Sequence, residues 1–387
     1  AIYGALNSNG NVILVNPSGI VVGASGIINT NGFTASVLDI PNNEFLKGGI
    51  LNFRGDSTAS VINEGTIKTG TGGAALIGGN VVNNGTITSE GGSISLVTGG
   101  SVTLADGSRF THADMATIES GISPTAGLIR NSGTIRATGA IETGGEVFLV
   151  NPGGKIMNDG TIAAYRPGAN GQTGGDVKIA ADGGTAEIGG TIDVAGTTGG
   201  RVTVEADSVE LAGASIDASG DNGGGKVNIG GGFQGNDESI ANAATTTVDA
   251  DSEIRADATD NGDGGTVVIW SDVATDFYGS ISATGGADGG NGGLVEVSGA
   301  SLVFQGTVDT TAAMGATGWL LLDPIGIRIV SGPLGRTMPG TDPVLTLTDG
   351  TLNSVLQFNN VLLATSPTET TVVIDPGGTD NGRGGTG

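Results

Sequence analysis

The chain has 387 residues, and its 39 acidic against 15 basic side chains give a formal net charge of −24. That balance excludes a nucleic-acid partner, since phosphate recognition needs a basic footprint, and the absence of cysteine excludes disulfides, thiolate zinc sites and thiol catalysis. No apolar run reaches the ~18 residues of a membrane span, so membrane insertion is not expected, and no signal peptide opens the chain.

Residues 1–105 read as strands closed by tight turns. Ala1-Ile2-Tyr3 already has the look of a strand interior, and Asn16-Pro17-Ser18-Gly19-Ile20 follows as a corner, with Pro17 fixing φ and Asn16 free to bond local backbone. A phrase then begins to recur: VINEGTI at Val61–Ile67, VVNNGTI at Val81–Ile87, NSGTI at Asn131–Ile135, NDGTI at Asn158–Ile162 and IGGTIDV at Ile188–Val194. A second phrase runs between its copies, with GGSISLV at Gly91, GGEVFLV at Gly144, GGDVKIA at Gly174, GGRVTVE at Gly199, GGTVVIW at Gly264 and GGLVEVS at Gly292. The repeat is interrupted over 106–125, where Met115 and Pro124 mark a loop, and resumes over 126–310. In 311–387, prolines at 324, 333 and 339 break the rhythm. There TLNSVLQFNN sets Leu352, Val355 and Leu356 at i, i+3 and i+4 behind a capping Thr or Asp, the one short helix expected, before strands at Val361 and Thr371.

Self-similarity at a period of roughly 20–30 residues with period-2 alternation and no helical stripe points to an all-β fold, a parallel β-solenoid in which each coil pairs with the next. At about 24 residues per coil the chain would make roughly 16 coils and an elongated rod of about 75 Å. The 75 glycines suit coils that turn several corners each, and the 4% of aromatic residues suits a thin core of stacked Val, Ile, Leu, Ala and Thr. Gly377–Gly387 trails off without a cap, so both ends are expected to be cuts through a longer protein.

Few residues offer chemistry. The single histidine, His112, lies in the 106–125 loop without a nucleophile or acid beside it. Asp and Glu fall at turn positions and on alternating strand positions, which reads as Asx turns and solvated strand faces. The acidic turns carrying Asp221, Asp260 and Asp263 could supply oxygen ligands to Ca²⁺, although the nine-residue repeat of a calcium β-roll is not in register. Thr69-Gly70-Thr71-Gly72-Gly73 lacks the Lys-Ser/Thr and helix of a phosphate loop and reads as a turn. Trp270, Phe277 and Tyr278 are the densest aromatic group: they either plug a wide coil or form a contact surface for sugars or another subunit.

At Gly10–Ile40, GNVILVNPSGIVVGASGIINTNGFTASVLDI resembles the secretion domain of filamentous haemagglutinin-like exoproteins, the secreted partners of two-partner secretion systems. In that family an Asn-Pro-Asn-Gly-Ile motif follows a strand, and Leu-Asp-Ile comes some twenty residues later. Here the counterparts are Asn16-Pro17-Ser18-Gly19-Ile20, with Ser18 in the third position, and Leu38-Asp39-Ile40; the N-terminal third of the family's domain, with its cap, is expected to be missing. SIDASGDNGGGKVNIGGG at Ser215–Gly232, NGDGGTVVIWSD at Asn261–Asp272, GGNGGLVEVSG at Gly289–Gly299 and ATGWLLLDPIGIRI at Ala316–Ile329 are similar to segments that follow the secretion domain. The resemblance implies a right-handed parallel β-helix, secreted to the medium or surface of a Gram-negative bacterium by an outer-membrane transporter as partner. It also implies an adhesin, a surface filament, or a carrier of toxin or haem-acquisition modules. The expected function is a non-enzymatic adhesin shaft or fibre component with an unidentified host-cell, glycan or matrix receptor. The rivals are a filament subunit that self-associates end to end and, less favoured, a carbohydrate-active β-helical enzyme. A purely structural reading of the Asn16–Ile20 corner stands beside the export reading, and the echo Asn151-Pro152-Gly153-Gly154, outside the secretion region, favours it.

Overall fold

A computed structural model describes residues 1–47, 49–104, 127–139, 144–165, 172–330, 344–365 and 372–374. Val/Ile/Leu positions spaced two apart, with Gly or Asn at each end, place three short strands in every coil. The coils wind so that each strand pairs in parallel with its counterpart one coil later. Three faces result. Face one runs through twelve strands, from Asn11–Val15 to Asn360–Leu363. Face two runs through ten, from Ile20–Val22 to Ser301–Phe304. Face three runs through eleven, from Ala5–Asn7 to Thr307–Asp309. The fold is therefore the expected parallel β-helix.

The coils are fewer and larger than the repeat suggests. From Ala5 to Thr307 on face three, ten steps average about 30 residues, and twelve strands on face one span roughly 53 Å at the inter-strand spacing. Excursions account for the difference. One, after the strand Ile27–Ser36, carries a short helix, Asn42–Lys47, and the strand Leu51–Arg54, which pairs antiparallel with Ser101–Leu104. Leu38, Leu51, Phe53, Val102 and Leu104 are buried there and join the main core. A second excursion, residues 230–243, leaves face one after Lys226–Ile229 and returns at Thr245–Val248.

The inward residues form columns along the rod. Ile67, Ile87, Ile135, Ile162, Ile192, Ile216 and Ile254 succeed one another on face three, all essentially unexposed. At the corner between faces two and three the recurrent Asn is also inside: Asn63, Asn83, Asn131 and Asn158 are each 0% exposed. Their side chains are linked Nδ2 to Oδ1 at 2.8, 2.8 and 2.7 Å. The column continues as Ile188, Leu211, Val248, Phe277 and Phe304. The Phe277 and Phe304 rings stack at 5.5 Å.

The outside of face one is solvated only in part, contrary to the reading of its alternating polar residues: Arg201 and Trp319 are exposed, but the middle of the face is covered. Phe148, Lys178, Thr203, Glu205, Asn228, Val268 and Glu296 point away from the coil interior yet are buried. Lys178 and Glu205, on adjacent coils, form a buried ion pair. Burial pushes the Glu205 carboxyl above its usual range, and Lys178 opposes this. Lys178→Met would leave that acid buried without its cation, for an expected loss of about 3 kcal/mol at pH 8. An acid whose folded-state pKa is raised stabilises below the unfolded value and loses that contribution as pH rises, so the deficit should shrink at pH 5. Urea unfolding of the variant and parent at the two pH values measures it.

The short helix near the end forms as read, Asp349–Val355, with Thr348 as N-cap accepting the Thr351 N–H at 3.0 Å. The helix Asn42–Lys47 was not legible, because it buries none of its residues and so shows no apolar stripe. Face one continues past residue 310: Trp319–Leu322 pairs with Leu294–Val297 on one side and Asn360–Leu363 on the other.

Candidate functional site

The corner between faces one and two in the first coil is built by Asn16. The Asn16 N–H continues the face-one ladder by donating to the Ser36 carbonyl at 2.9 Å. Its side chain then closes the turn: Oδ1 accepts the Ser18 N–H at 3.1 Å, and Nδ2 donates to the Gly19 carbonyl at 3.0 Å. The Gly19 N–H returns to the Asn16 carbonyl at 3.0 Å. Gly19 sits at φ 104°, in the region that favours glycine. Ile20 follows into the core at 3% exposure, while Asn16, Pro17 and Ser18 face solvent. Ser57 Oγ, from the excursion, donates to the Pro17 carbonyl at 2.7 Å.

The second motif lies against the first. Ser36, whose carbonyl holds Asn16, uses its hydroxyl to bond both the N–H and the carbonyl of Leu38, at 3.0 and 2.9 Å. Leu38 is buried at 1% exposure, Asp39 is exposed and bridges Arg54 through main-chain bonds, and Asp39 Oδ1 accepts the Ile40 N–H at 2.9 Å. The helix Asn42–Lys47 extends from there, with Phe45 and Leu46 exposed at 50% and 81%. Two motifs some twenty residues apart are thus joined through Ser36, a residue that sequence reasoning passed over because it looks like any strand serine; Asn16, Pro17, Ser18 and Asp39 are their exposed members.

The echo at Asn151 occupies the same corner four coils later, with the same main-chain turn bond, Gly154 N–H to the Asn151 carbonyl at 3.1 Å, but different side-chain partners and different exposure. Asn151 Nδ2 bonds the Lys155 and Gly127 carbonyls, both at 2.8 Å, and its Oδ1 accepts from Thr98 Oγ1. Asn151 is 0% exposed, enclosed by coils on either side. The turn-forming role is common to both positions, and solvent exposure distinguishes Asn16.

The TPS secretion domain family model matches residues 1–136. Among solved structures, the HMW1 secretion domain from Haemophilus influenzae is similar at 33% identity and a TM-score of 0.67, over 82% of this chain and 82% of that one. The chain belongs to the two-partner secretion exoproteins. No curated protein matches it. As a member of this family it carries a secretion domain of the kind exported across the outer membrane of Gram-negative bacteria by a dedicated transporter. No helix among the described residues is long and apolar enough to cross a membrane.

The other candidates of this exoprotein fall apart in space. His112 lies outside the described residues. Asp221 and Asp260 stack at one exposed corner, the Asp260 N–H bonding the Asp221 carbonyl at 2.9 Å, and Thr259 Oγ1 lies 3.5 and 3.4 Å from their carboxylates. Asp263 Oδ1 is taken by the Asn291 N–H at 2.6 Å. Among the described residues no three His, Asp or Glu side chains gather as a cation site would need. On face three, Asp193, Asp217 and Asp309 accept N–H groups two residues on, at 3.0, 2.9 and 2.9 Å, which is the Asx-turn role read from sequence. Thr69–Gly73 lies inside the strand Thr66–Ile77 as it rounds a corner.

The aromatic group divides, and Phe277 is corrected as a contact candidate. Phe277 is 0% exposed in the core column and cannot be a contact surface, because the strand Ala274–Phe277 turns it inward. Tyr278, the next residue, is 37% exposed. Trp270 is half-buried, its Nε1 donating to Asp272 Oδ1 at 3.0 Å, and its ring lies over Gly231 and Gly235 of the second excursion.

Proposed function

We propose that this chain is the non-enzymatic stem of a secreted surface exoprotein, an adhesin shaft or extracellular fibre component, and that the Asn16–Ile20 corner with Leu38–Ile40, exposed at Asn16, Pro17, Ser18 and Asp39, is what its outer-membrane transporter reads during export. The observation that carries the reading is the contrast between two asparagine corners at the same position of the coil. Asn16-Pro17-Ser18 is presented to solvent beside the second motif, inside the matched secretion domain, whereas Asn151 is sealed between coils. A rod with a repetitive core and an acidic surface suits a spacer that holds a distal binding part away from the cell.

The test is Asn16→Ala in the intact parent protein. Secretion into the medium is expected to fall at least tenfold, while the purified variant keeps its β-rich spectrum and loses only about 1–2 kcal/mol, since it gives up two exposed hydrogen bonds of one turn. Undiminished secretion would remove the export role. Loss of secretion together with loss of fold would reduce the corner to a structural turn.

A further inference from the structure

Residues 230–243 lie across the outside of face one, over a row in which Asn228, Val268, Glu296 and Leu321 succeed one another on adjacent coils. The excursion is held at three places. The Trp270 ring covers it so closely that a Cβ on Gly235 would come within 2.6 Å of the indole. Asn242 Nδ2 bonds Asp272 Oδ1 at 3.0 Å and the Gly235 carbonyl at 3.1 Å. Gln234, held at φ 54° in a region most side chains avoid, points its N–H at Glu296 Oε2, 2.9 Å away and two coils further along.

That last attachment is unlike the others. Glu296 is 0% exposed, and its second oxygen, Oε1, has no hydrogen-bond partner. Nearby Asp323 also has a buried oxygen, Oδ1, without a partner, and the Asp323 N–H is held by Ser298 Oγ at 3.2 Å. An ionised carboxylate with a bare buried oxygen beside a second acid is costly, whereas a protonated one is tolerated.

We propose that residues 230–243 form a pH-gated strap, closed over face one while Glu296 carries a proton and released when that carboxyl ionises. Burial pushes the Glu296 carboxyl up to about 7, with Asp323 adding to the rise and the Gln234 N–H and Ser298 opposing it. Burial also raises Asp323. The groups that face Glu296 are thus Ser298 on its own coil, Asp323 on the next and the Gln234 main chain from the strap. The strap's own acids, Asp237 and Glu238, lie nearer its surface, where hydrogen bonds from Ser239, with Lys226 and Arg201 adding, hold the Asp237 carboxyl below its usual range; Asp272 accepts the Trp270 Nε1–H.

The sign follows from linkage. The closed form holds the Glu296 proton up to about pH 7, whereas the open, hydrated form releases it near the ordinary value of about 4.3. Opening therefore becomes more favourable as pH rises between those values and levels off above them, with a total gain of roughly five-hundredfold, of which about a hundredfold falls between pH 5 and 8. Release would expose the outer side of face one around Val268, a strip of apolar and amide groups that the strap keeps dry at low pH.

Amide hydrogen exchange of the peptide spanning 230–243, measured on the whole chain at pH 5 to 8, tests this. The rate in the parent divided by that in Glu296→Gln cancels the intrinsic pH dependence of exchange. The ratio is expected to rise about a hundredfold across the range, and a flat ratio would overturn the strap. Should Glu296→Gln fail to fold, Gly235→Ala serves instead, because its methyl cannot fit under Trp270 and the strap stays open. Against that reference the parent should show protection that is strong at pH 5 and mostly lost at pH 8. Protection equal at both pH values would reject the proposal.

Discussion

Gly200→Ala is expected to cost more than about 4 kcal/mol and to unfold the coils around it, although the substitution adds one methyl to a surface corner. Gly145, Gly175, Gly200, Gly225, Gly265, Gly293 and Gly318 stack along the edge between faces three and one. A Cβ on Gly200 would lie 2.1 Å from the Gly175 carbonyl oxygen, and one on Gly225 would lie 2.1 Å from that of Gly200. The obstacle is backbone and has no rotamer to yield. The Gly175 carbonyl also accepts the Arg201 N–H at 2.8 Å, so moving it aside breaks the ladder that joins two coils. Gly213→Ala is the control: its φ is 72° but nothing lies within 4 Å of the added atom. It should cost only the left-handed backbone penalty of about 1–2 kcal/mol. Chemical denaturation of both variants, followed by circular dichroism, separates a packing requirement from a conformational one. Comparable losses in the two would show that backbone freedom, rather than coil-to-coil approach, selects these glycines.

That contrast marks where the sequence was legible. The two recurrent phrases, Asn-x-Gly-Thr-Ile and Gly-Gly-x-Val, identified strands, corners and a parallel solenoid, because period and punctuation are local properties. The reason for the glycines was not local. Of the 75 glycines, 13 among the described residues have positive φ, and the stacked corner series owes its identity to a neighbour a coil away. The same limit hid the fate of polar residues. Glu205 and Glu296 alternate with valines as solvated positions do, and only the elements laid across face one, which alternation cannot reveal, bury them. Phe277 was grouped with Trp270 and Tyr278 by nearness in sequence, yet strand direction sends it into the core and leaves Tyr278 outside. The Asn16 corner was recognisable from its residues, whereas its union with Leu38–Ile40 depends on Ser36, whose two roles exist only once the coils are stacked.

Asn83→Ala should be more damaging than truncation at either end of the repeat's asparagine file, at about 4 kcal/mol. Asn83 stands inside a file of four, accepting from Asn63 Nδ2 and donating to Asn131 Oδ1, both at 2.8 Å, and none of the three is exposed. Its removal strips an acceptor from Asn63 and a donor from Asn131. Each orphaned amide costs about 1–3 kcal/mol where water cannot replace the partner, and the vacated volume adds to it. The ladder works because parallel coils bring identical amides about 4.8 Å apart, a spacing that lets each side chain bridge to the next. Asn158→Ile meets a different environment. Asn158 ends the file, with Ile188 as the next residue in the column, so the substitution leaves the Asn131 Nδ2 only its long 3.5 Å bond to the Thr161 carbonyl and extends the apolar column, for an expected loss of about 2 kcal/mol. Because each coil touches only its neighbours, both losses should be local. Amide exchange ought to accelerate over the coils from Ser60 to Ala163 and stay unchanged beyond Arg201. A uniform acceleration along the rod would mean that the file sets the stability of the whole solenoid instead of one stretch of it.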